Sequence, residues 1–261
     1  MLSKLFKHEL KATARLLLPI YLVLVVLTIM DRIALNLDIF KGVLSIIPGL
    51  ITTAYVVSII AIIVVSFVII IMRFYKNLMT DEGYLMFTLP VKSHQLIISK
   101  LLASILWTVA SVVAVIASLF AVFATSDTWA MMVDVYHMAM VEIKAELGGF
   151  TTILVIELVL LVILTLINSI LEIYASIAIG QLFNGHKVIG SFAAYIGITT
   201  AIQIIVSVFL FIAGMIFKQR IDDIEAIPQL VFPITILFLL VFNVLFYWIT
   251  NYIFKRKLNL E

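Results

Sequence analysis

Long runs of apolar residues alternate with short polar stretches along the whole chain. Six of these runs are predicted to be helices that cross a membrane, because about 20 apolar residues at roughly 1.5 Å per residue span a hydrocarbon core of ~30 Å. The runs cover residues 16–35, 50–72, 96–123, 150–182, 188–217 and 231–254. The sequence therefore predicts an all-α membrane protein that forms one transmembrane domain over residues 1–261.

The first fifteen residues show a different pattern, in which basic and apolar residues recur at helical spacing. Leu2, Leu5, Phe6 and Leu10 share one face, and Lys4, Lys7, Lys11 and Arg15 lie mostly opposite. This pattern is typical of an amphipathic helix at a membrane surface, so residues 1–15 are predicted to form an elbow helix before the first span. The apolar part of that span, Leu16–Met30, is short. The span is therefore predicted to continue through Asp31 and Arg32, whose charges would reach the far headgroups.

Residues 128–147 form a second amphipathic segment, which is too polar to cross the membrane. Its apolar residues recur at steps of three and four: Trp129, Met132, Val133, Tyr136, Met140, Ile143 and Leu147. The polar residues between them are Asp134, His137, Glu142, Lys144 and Glu146. The pattern predicts an extracellular amphipathic helix. It would lie on the outer leaflet, cap the exit of a translocation path, or pack over the helical bundle.

Composition and charge agree with a membrane protein of fixed orientation. Hydrophobic residues make up 64% of the chain and charged residues 12%, against about 25% charged residues in soluble domains. Cysteine is absent, which excludes disulfides, thiolate metal sites and a cysteine nucleophile. Of the 17 lysines and arginines, twelve lie on the side that carries both termini and the segment 73–95, and five lie on the other. Both termini are therefore predicted to be cytoplasmic.

Four polar residues deep within the apolar runs are candidates for a cavity or a hinge: Glu157, Asn168, Glu172 and Gln203. Placing a carboxylate at mid-bilayer costs on the order of 2–3 kcal/mol of free energy. Glu157 and Glu172 should therefore each face the bundle or a water-filled cavity. The other interpretation is that these residues form hydrogen bonds between helices. Serine and threonine in the spans are predicted to act in that second way. The histidines are scattered singly, and no metal site is predicted.

The polar segment Arg73–Lys100 separates the second and third apolar runs. Its centre reads Asp81-Glu82-Gly83-Tyr84-Leu85. Pro90 ends any helix there, since proline lacks an amide hydrogen, and Ser93 is predicted to begin the next one. The apolar residues on both sides require this segment to be exposed to one aqueous compartment.

The residues 81–91, DEGYLMFTLPV, followed by Ser99-Lys100-Leu101, resemble the first cytoplasmic loop of bacterial type-2 ABC transporter permeases. The tail Lys255–Glu261 is also similar. Members of this family are the six-helix membrane subunits of peptide, lantibiotic and phenol-soluble-modulin exporters. The resemblance implies that residues 73–95 form a coupling loop whose short helix binds an ATPase. The implied contacts are Asn77, Leu78, Asp81, Glu82, Gly83, Tyr84 and Leu85. The other interpretation is a solvated connector whose apolar residues lie on the membrane surface.

The same resemblance implies a permease subunit in the bacterial plasma membrane that exports an amphipathic or antimicrobial peptide. The implied partners are a cytoplasmic ABC ATPase, a second permease copy or homologue, and the lipid bilayer, but not nucleic acid. The chain contains no phosphate-binding loop of the form GxxxxGK[ST]. ATP and magnesium are therefore expected in the partner chain, and this chain is expected to be no enzyme and to bind no cofactor. The alternative is an ion-coupled secondary transporter that uses Glu157 and Glu172, although no inverted repeat of broken helices is evident.

Overall fold

The computed structural model describes residues 2–36, 46–79, 91–183, 185–217 and 227–256. Every regular element within these ranges is helical. The long helices are α1 (Leu2–Asn36), α2 (Ile46–Met79), α3 (Ser93–Phe123), α4 (Ser126–Leu147), α5 (Thr151–Gly180), α6 (Lys187–Phe217) and α7 (Phe232–Arg256). A short 3₁₀ turn, Gly148–Phe150, joins α4 to α5, and a π-helical turn, Ile227–Val231, precedes α7.

Six helical segments of the described chain are long and apolar enough to cross a membrane, with α4 and α5 counted as one segment. These six segments give the chain the architecture of a multi-pass membrane protein. The prediction of an all-α fold with six spans is confirmed at this level. The side of the membrane on which each end lies stays a prediction.

α1 and α2 extend well beyond the predicted spans, because an apolar run marks only the part of a helix that needs lipid or core around it. The helix itself continues through amphipathic turns for as long as its backbone hydrogen bonds can form. α2 begins at Ile46 and ends at Met79, beyond the predicted 50–72 at both ends. α1 runs from Leu2 to Asn36 without a break. The predicted elbow helix and the first span are therefore one continuous helix.

The chain divides into two compact units, which are described separately. The first comprises Met1–Arg73 and Ile98–Val135, and the second comprises Phe74–Ile97 and Tyr136–Glu261.

The core of the first unit lies where α1, α2 and α3 meet. Leu24, Tyr55, Ile62 and Val122 are almost completely buried there. Lipid tails are as apolar as these side chains, so the core is stabilised by close van der Waals packing between the helices.

Serines of α3 at intervals of seven residues add hydrogen bonds to this core. The hydroxyl of Ser111 lies 2.8 Å from that of Tyr21 on α1 and 2.9 Å from that of Ser66 on α2. The hydroxyl of Ser118 lies 3.1 Å from that of Tyr55. The prediction that serines in the spans connect helices is confirmed at these positions.

In the second unit, α5 packs against both α6 and α7. The C-terminal half of α5 is the buried part, and Tyr174, Ala175 and Ala178 are completely inaccessible. The turn into α6 requires a close approach of the two helices. A Cβ atom added at Gly180 would lie 2.4 Å from the backbone nitrogen of Ser191, so that only glycine fits there.

α4 is a helix, as predicted, but much of its apolar surface is uncovered. Leu147 at its C-terminal end is 4% exposed, whereas Trp129 and Tyr136 are 59% and 61% exposed. Only part of the predicted apolar stripe therefore packs against the described residues.

Candidate functional site

A buried cluster of three charged residues joins the helices on either side of the predicted coupling loop. Glu9 on α1 accepts hydrogen bonds from Arg73 near the end of α2 and from Lys100 near the start of α3. The distances are 2.8 Å from Nη2 of Arg73 to Oε2, and 2.7 Å from Nζ of Lys100 to Oε1. One carboxylate therefore connects α2, which leads into the loop, and α3, which leads out of it.

The three side chains of this cluster are largely removed from water, so each charge needs an oppositely charged partner beside it. The side chains of Glu9 and Lys100 are only 8% and 4% exposed, and that of Arg73 is 18% exposed. Charges removed from water are costly unless they are paired and hydrogen-bonded, and breaking a buried pair typically costs about 3–5 kcal/mol. Both oxygens of Glu9 are paired, and Arg73 approaches Oε2 with Nε as well, at 3.3 Å. The cluster thus fixes α1 against α2 and α3.

The sequence contains only a weak signal for this cluster. Glu9 is the one acidic residue in the first thirty positions, within a segment that is otherwise basic. Its partners lie 64 and 91 residues further along the chain. Glu9 falls on the apolar face of this helix, three residues after Phe6 and four after Leu5, but only the packing of three helices reveals its partners.

The predicted docking residues lie at the end of α2 and beyond it. Leu78 is completely buried there. Asn77 belongs to the same helix, but its side chain is outside the described set. The remaining predicted contacts, Asp81, Glu82, Gly83, Tyr84 and Leu85, lie outside the described residues. Their role in binding an ATPase stays a prediction.

The last turns of α2 are held in the second unit by aromatic packing. Phe74 stacks on Tyr174 of α5, with ring centroids 3.6 Å apart and an interplanar angle of 10°. Phe254 of α7 meets the same phenylalanine edge-on, at 5.9 Å. These contacts, together with the burial of Leu78, fix the helical end from which the predicted loop begins.

Two of the four polar residues predicted within the spans have unused hydrogen-bonding capacity. Glu157 is 8% exposed, and its Oε2 atom has no hydrogen-bond partner among the described residues. The same holds for Nδ2 of Asn168 and, on α7, for Oδ1 of Asn243. The amide of Asn243 donates to the carbonyl of Leu164, at 3.2 Å. The amide of Asn243 therefore joins α7 to α5, and the other polar atoms named here have no partner among the described residues.

The other two residues of this group, Glu172 and Gln203, differ in hydrogen bonding and in exposure. Glu172 accepts a hydrogen bond from the hydroxyl of Thr199, at 2.7 Å, which joins α5 to α6. Gln203 lies one turn further along α6 and is exposed. Glu172 thus forms the kind of interhelical hydrogen bond that was one of its two predicted roles. Gln203 lies outside the buried interface.

The charged residues near the end of the first span are placed differently from the prediction. Asp31 is completely buried and accepts a hydrogen bond from Thr52, at 2.6 Å. Arg32 donates to the carbonyl groups of Val122 and Ala124, at 2.6 and 3.1 Å. The prediction that Asp31 reaches the far headgroups is wrong, because α2 offers a hydroxyl partner within the first unit.

Within the described ranges, no three histidine, aspartate or glutamate side chains come together in a way that could hold a metal ion. Among the described residues, the candidate site is the charged cluster around Glu9. The chain matches no protein-family model, no curated protein and no solved structure.

Proposed function

We propose that this chain is the permease subunit of an ATP-driven exporter of the type-2 ABC class. It resides in the bacterial plasma membrane, with both termini and the segment 73–95 in the cytoplasm. Two permeases pair, and each binds one cytoplasmic ATPase subunit that holds ATP and magnesium. The cargo is an amphipathic or antimicrobial peptide.

The observation that carries this proposal is the connection of Arg73 and Lys100 through Glu9. A coupling loop must pass the movement of an ATPase to several spans together. Because both helices that flank the loop are fixed to α1 by one carboxylate, a displacement of the loop moves three helices of the first unit together. A solvated connector would need no buried charges at its two ends.

The exposed amide of Gln203 supports the pairing of two permeases. It lies on α6 within an apolar span, where lipid offers no hydrogen-bond partner. A second copy packed against this part of α6 would satisfy the amide.

An apolar cavity supports a cargo with an apolar face. It has a volume of about 390 Å³ and lies between α6 and α7. Phe209 and Phe238, whose rings meet at 4.7 Å, form part of its wall. A cavity of this size and character accepts an apolar side chain but offers little to a charged solute.

The test is the substitution of Glu82 in the loop. We expect Glu82→Ala to weaken binding of the ATPase about 10- to 100-fold, since a charge-assisted hydrogen bond is worth about 1.5–3 kcal/mol. The permease would be coexpressed with a candidate ABC ATPase from the same genome. Copurification, ATP hydrolysis and export of peptide would then be measured.

Tyr84→Ala should act in the same direction, because it removes an apolar anchor. Lys11→Ala, which removes an exposed charge from α1, is the matched control and should change none of the three measurements. Wild-type binding, hydrolysis and export in both loop variants would contradict the proposal.

One observation favours the second candidate, an ion-coupled transporter. A buried carboxylate such as Glu157, with an oxygen unpaired among the described residues, is suited to take up a proton. In proteoliposomes without nucleotide, a proton gradient would then drive transport, and Glu157→Gln and Glu172→Gln would abolish it. Transport under these conditions would replace the ATP-driven proposal.

A further inference from the structure

An apolar groove lies between the C-terminal end of α3 and the first turns of α4. Its cavity has a volume of about 490 Å³. The walls include Phe120 and Phe123 from α3, and Trp129, Met131 and Met132 from α4. All five belong to the first unit. The last four of these side chains are between 51% and 66% exposed, so the groove is open.

The junction between the two helices is held firmly, so that the groove exists before anything binds. Thr128 donates its hydroxyl hydrogen to the carbonyl of Phe123, at 2.9 Å. The backbone amide of Thr125 donates to the hydroxyl oxygen of Thr128, at 2.7 Å. Arg32 binds the carbonyl groups at the end of α3. A preformed groove loses less conformational entropy when a ligand binds.

The side chains of α4 suit a flexible apolar partner. Of the ten methionines in the chain, four lie between positions 131 and 140. Methionine is unbranched and polarisable, so a surface rich in it adapts to apolar faces of different shape.

The charge of α4 restricts the partner further. The helix carries four acidic residues, Asp127, Asp134, Glu142 and Glu146, and one basic residue, Lys144, which gives a net charge of −3 with neutral histidine. Asp127 and Asp134 lie within one turn of the groove-lining residues of α4 and are exposed. Anionic lipid headgroups are repelled by such a helix, and a cationic partner is attracted.

We propose that the groove between α3 and α4 is a docking site for the apolar face of a cationic amphipathic peptide helix. This proposal rests on the proposed function, because it assigns a chemical class to the cargo and a contact to it. An amphipathic helix lays its apolar side chains into a groove of this kind, and its lysines and arginines then lie near the acidic residues of α4.

The test measures binding in nanodiscs of zwitterionic lipid, without ATPase or nucleotide. The probe is a synthetic cationic amphipathic helix with a brominated side chain on its apolar face, which quenches tryptophan fluorescence on contact. Trp129 is the reporter, in a Trp107→Phe/Trp248→Phe background whose helical circular dichroism is checked first. The comparison peptide keeps the apolar face but carries glutamate in place of every lysine.

We expect saturable quenching by the cationic peptide and about tenfold weaker binding of the charge-reversed peptide. Met131→Ser/Met132→Ser should weaken binding about tenfold, because two half-exposed apolar side chains are lost from the wall. Asp134→Asn should weaken binding about two- to fivefold, and added salt should reduce that difference. Met215→Ser, on the 70% exposed methionine of α6, is the matched control and should leave binding unchanged.

Equal affinity for both peptides, or binding that Met131→Ser/Met132→Ser leaves intact, would overturn the proposal. So would quenching of Trp129 by brominated lipid that neither peptide displaces, since lipid would then occupy the groove. Binding without ATP-dependent export would instead contradict the proposed function and leave the docking site standing. Export that continues unchanged in the double methionine variant would contradict the docking site alone.

Discussion

The charge of Glu9 affects two other charged groups, because its cationic partners Arg73 and Lys100 stay in place when it is changed. Lys100 is almost completely buried and Arg73 mostly so. A neutral side chain at position 9 would leave two positive charges close together within the first unit. The stability of that unit should therefore depend on the charge of Glu9 more than on its volume.

We expect Glu9→Gln to lower the free energy of unfolding by about 3–5 kcal/mol, the usual cost of breaking a buried ion pair. Lys11→Gln removes an exposed charge from the same helix and is the matched control, with an expected effect within about 0.5 kcal/mol. Unfolding by sodium dodecyl sulfate, followed by circular dichroism, would measure both.

The double variant Glu9→Gln/Lys100→Met should recover part of the lost stability, because it removes one of the buried positive charges. Equal unfolding midpoints for the wild type and Glu9→Gln would show that the cluster contributes nothing to stability.

The corner between α5 and α6 shows how one residue controls the packing of two helices. Gly180 faces the backbone of Ser191 at a distance that leaves no room for a Cβ atom. At Gly197, further along α6, an added Cβ atom would have no atom of another element within 4 Å. The two glycines therefore differ in environment, although both lie in apolar helices.

Gly180→Ala should destabilise the second unit by about 1–3 kcal/mol, since the extra methyl group forces the helices apart. Gly197→Ala should be neutral or should stabilise the protein by about 0.5–1 kcal/mol, because alanine is the better helix former. Thermal unfolding of both variants in the same detergent would test this pair. Equal losses at the two positions would contradict the close approach at Gly180.

The helices themselves could be predicted because a span must supply a minimum length of apolar residues, and this requirement is local in the sequence. The ends of α2 could not be predicted from the apolar run, since the helix continues through Ile46–Leu50 and through the turns after Met72, where the run does not. The apolar stripe of α4 could be named from its spacing, but the sequence left open whether lipid or the bundle lies against it, and Trp129 and Tyr136 are exposed among the described residues. Periodicity identifies a face but not what lies against it.

The candidate site was less predictable than the helices. The loop motif is continuous in sequence, so its residues could be named. The charged cluster depends on three helices that meet, and its partners are separated by up to 91 residues. For the same reason, sequence could not decide that Glu172 bonds to Thr199 or that Gln203 stays exposed on α6.

The orientation of the whole chain can be tested without a background signal, because the sequence contains no cysteine. Glu142→Cys on α4 and His186→Cys before α6 both place a thiol at an exposed position. The distribution of basic residues predicts that an impermeant maleimide labels position 142 in intact cells, and position 186 only after permeabilisation. The opposite result would reverse the topology, and with it the access of an ATPase to the loop.

The contact between Glu9 and Lys100 also sets an order on the synthesis of the protein. The carboxylate of Glu9 can pair with Lys100 only after 91 further residues have been translated, which takes about 5–18 s at ordinary rates of elongation. Near the end of that interval α1 and α2 have been made, but one of the two cations that pair with Glu9 does not yet exist. The first three spans therefore reach their native contacts in the membrane only after the ribosome has passed Lys100. Changes that slow translation between α2 and α3 should prolong the time for which this carboxylate is exposed to insertion and quality-control factors.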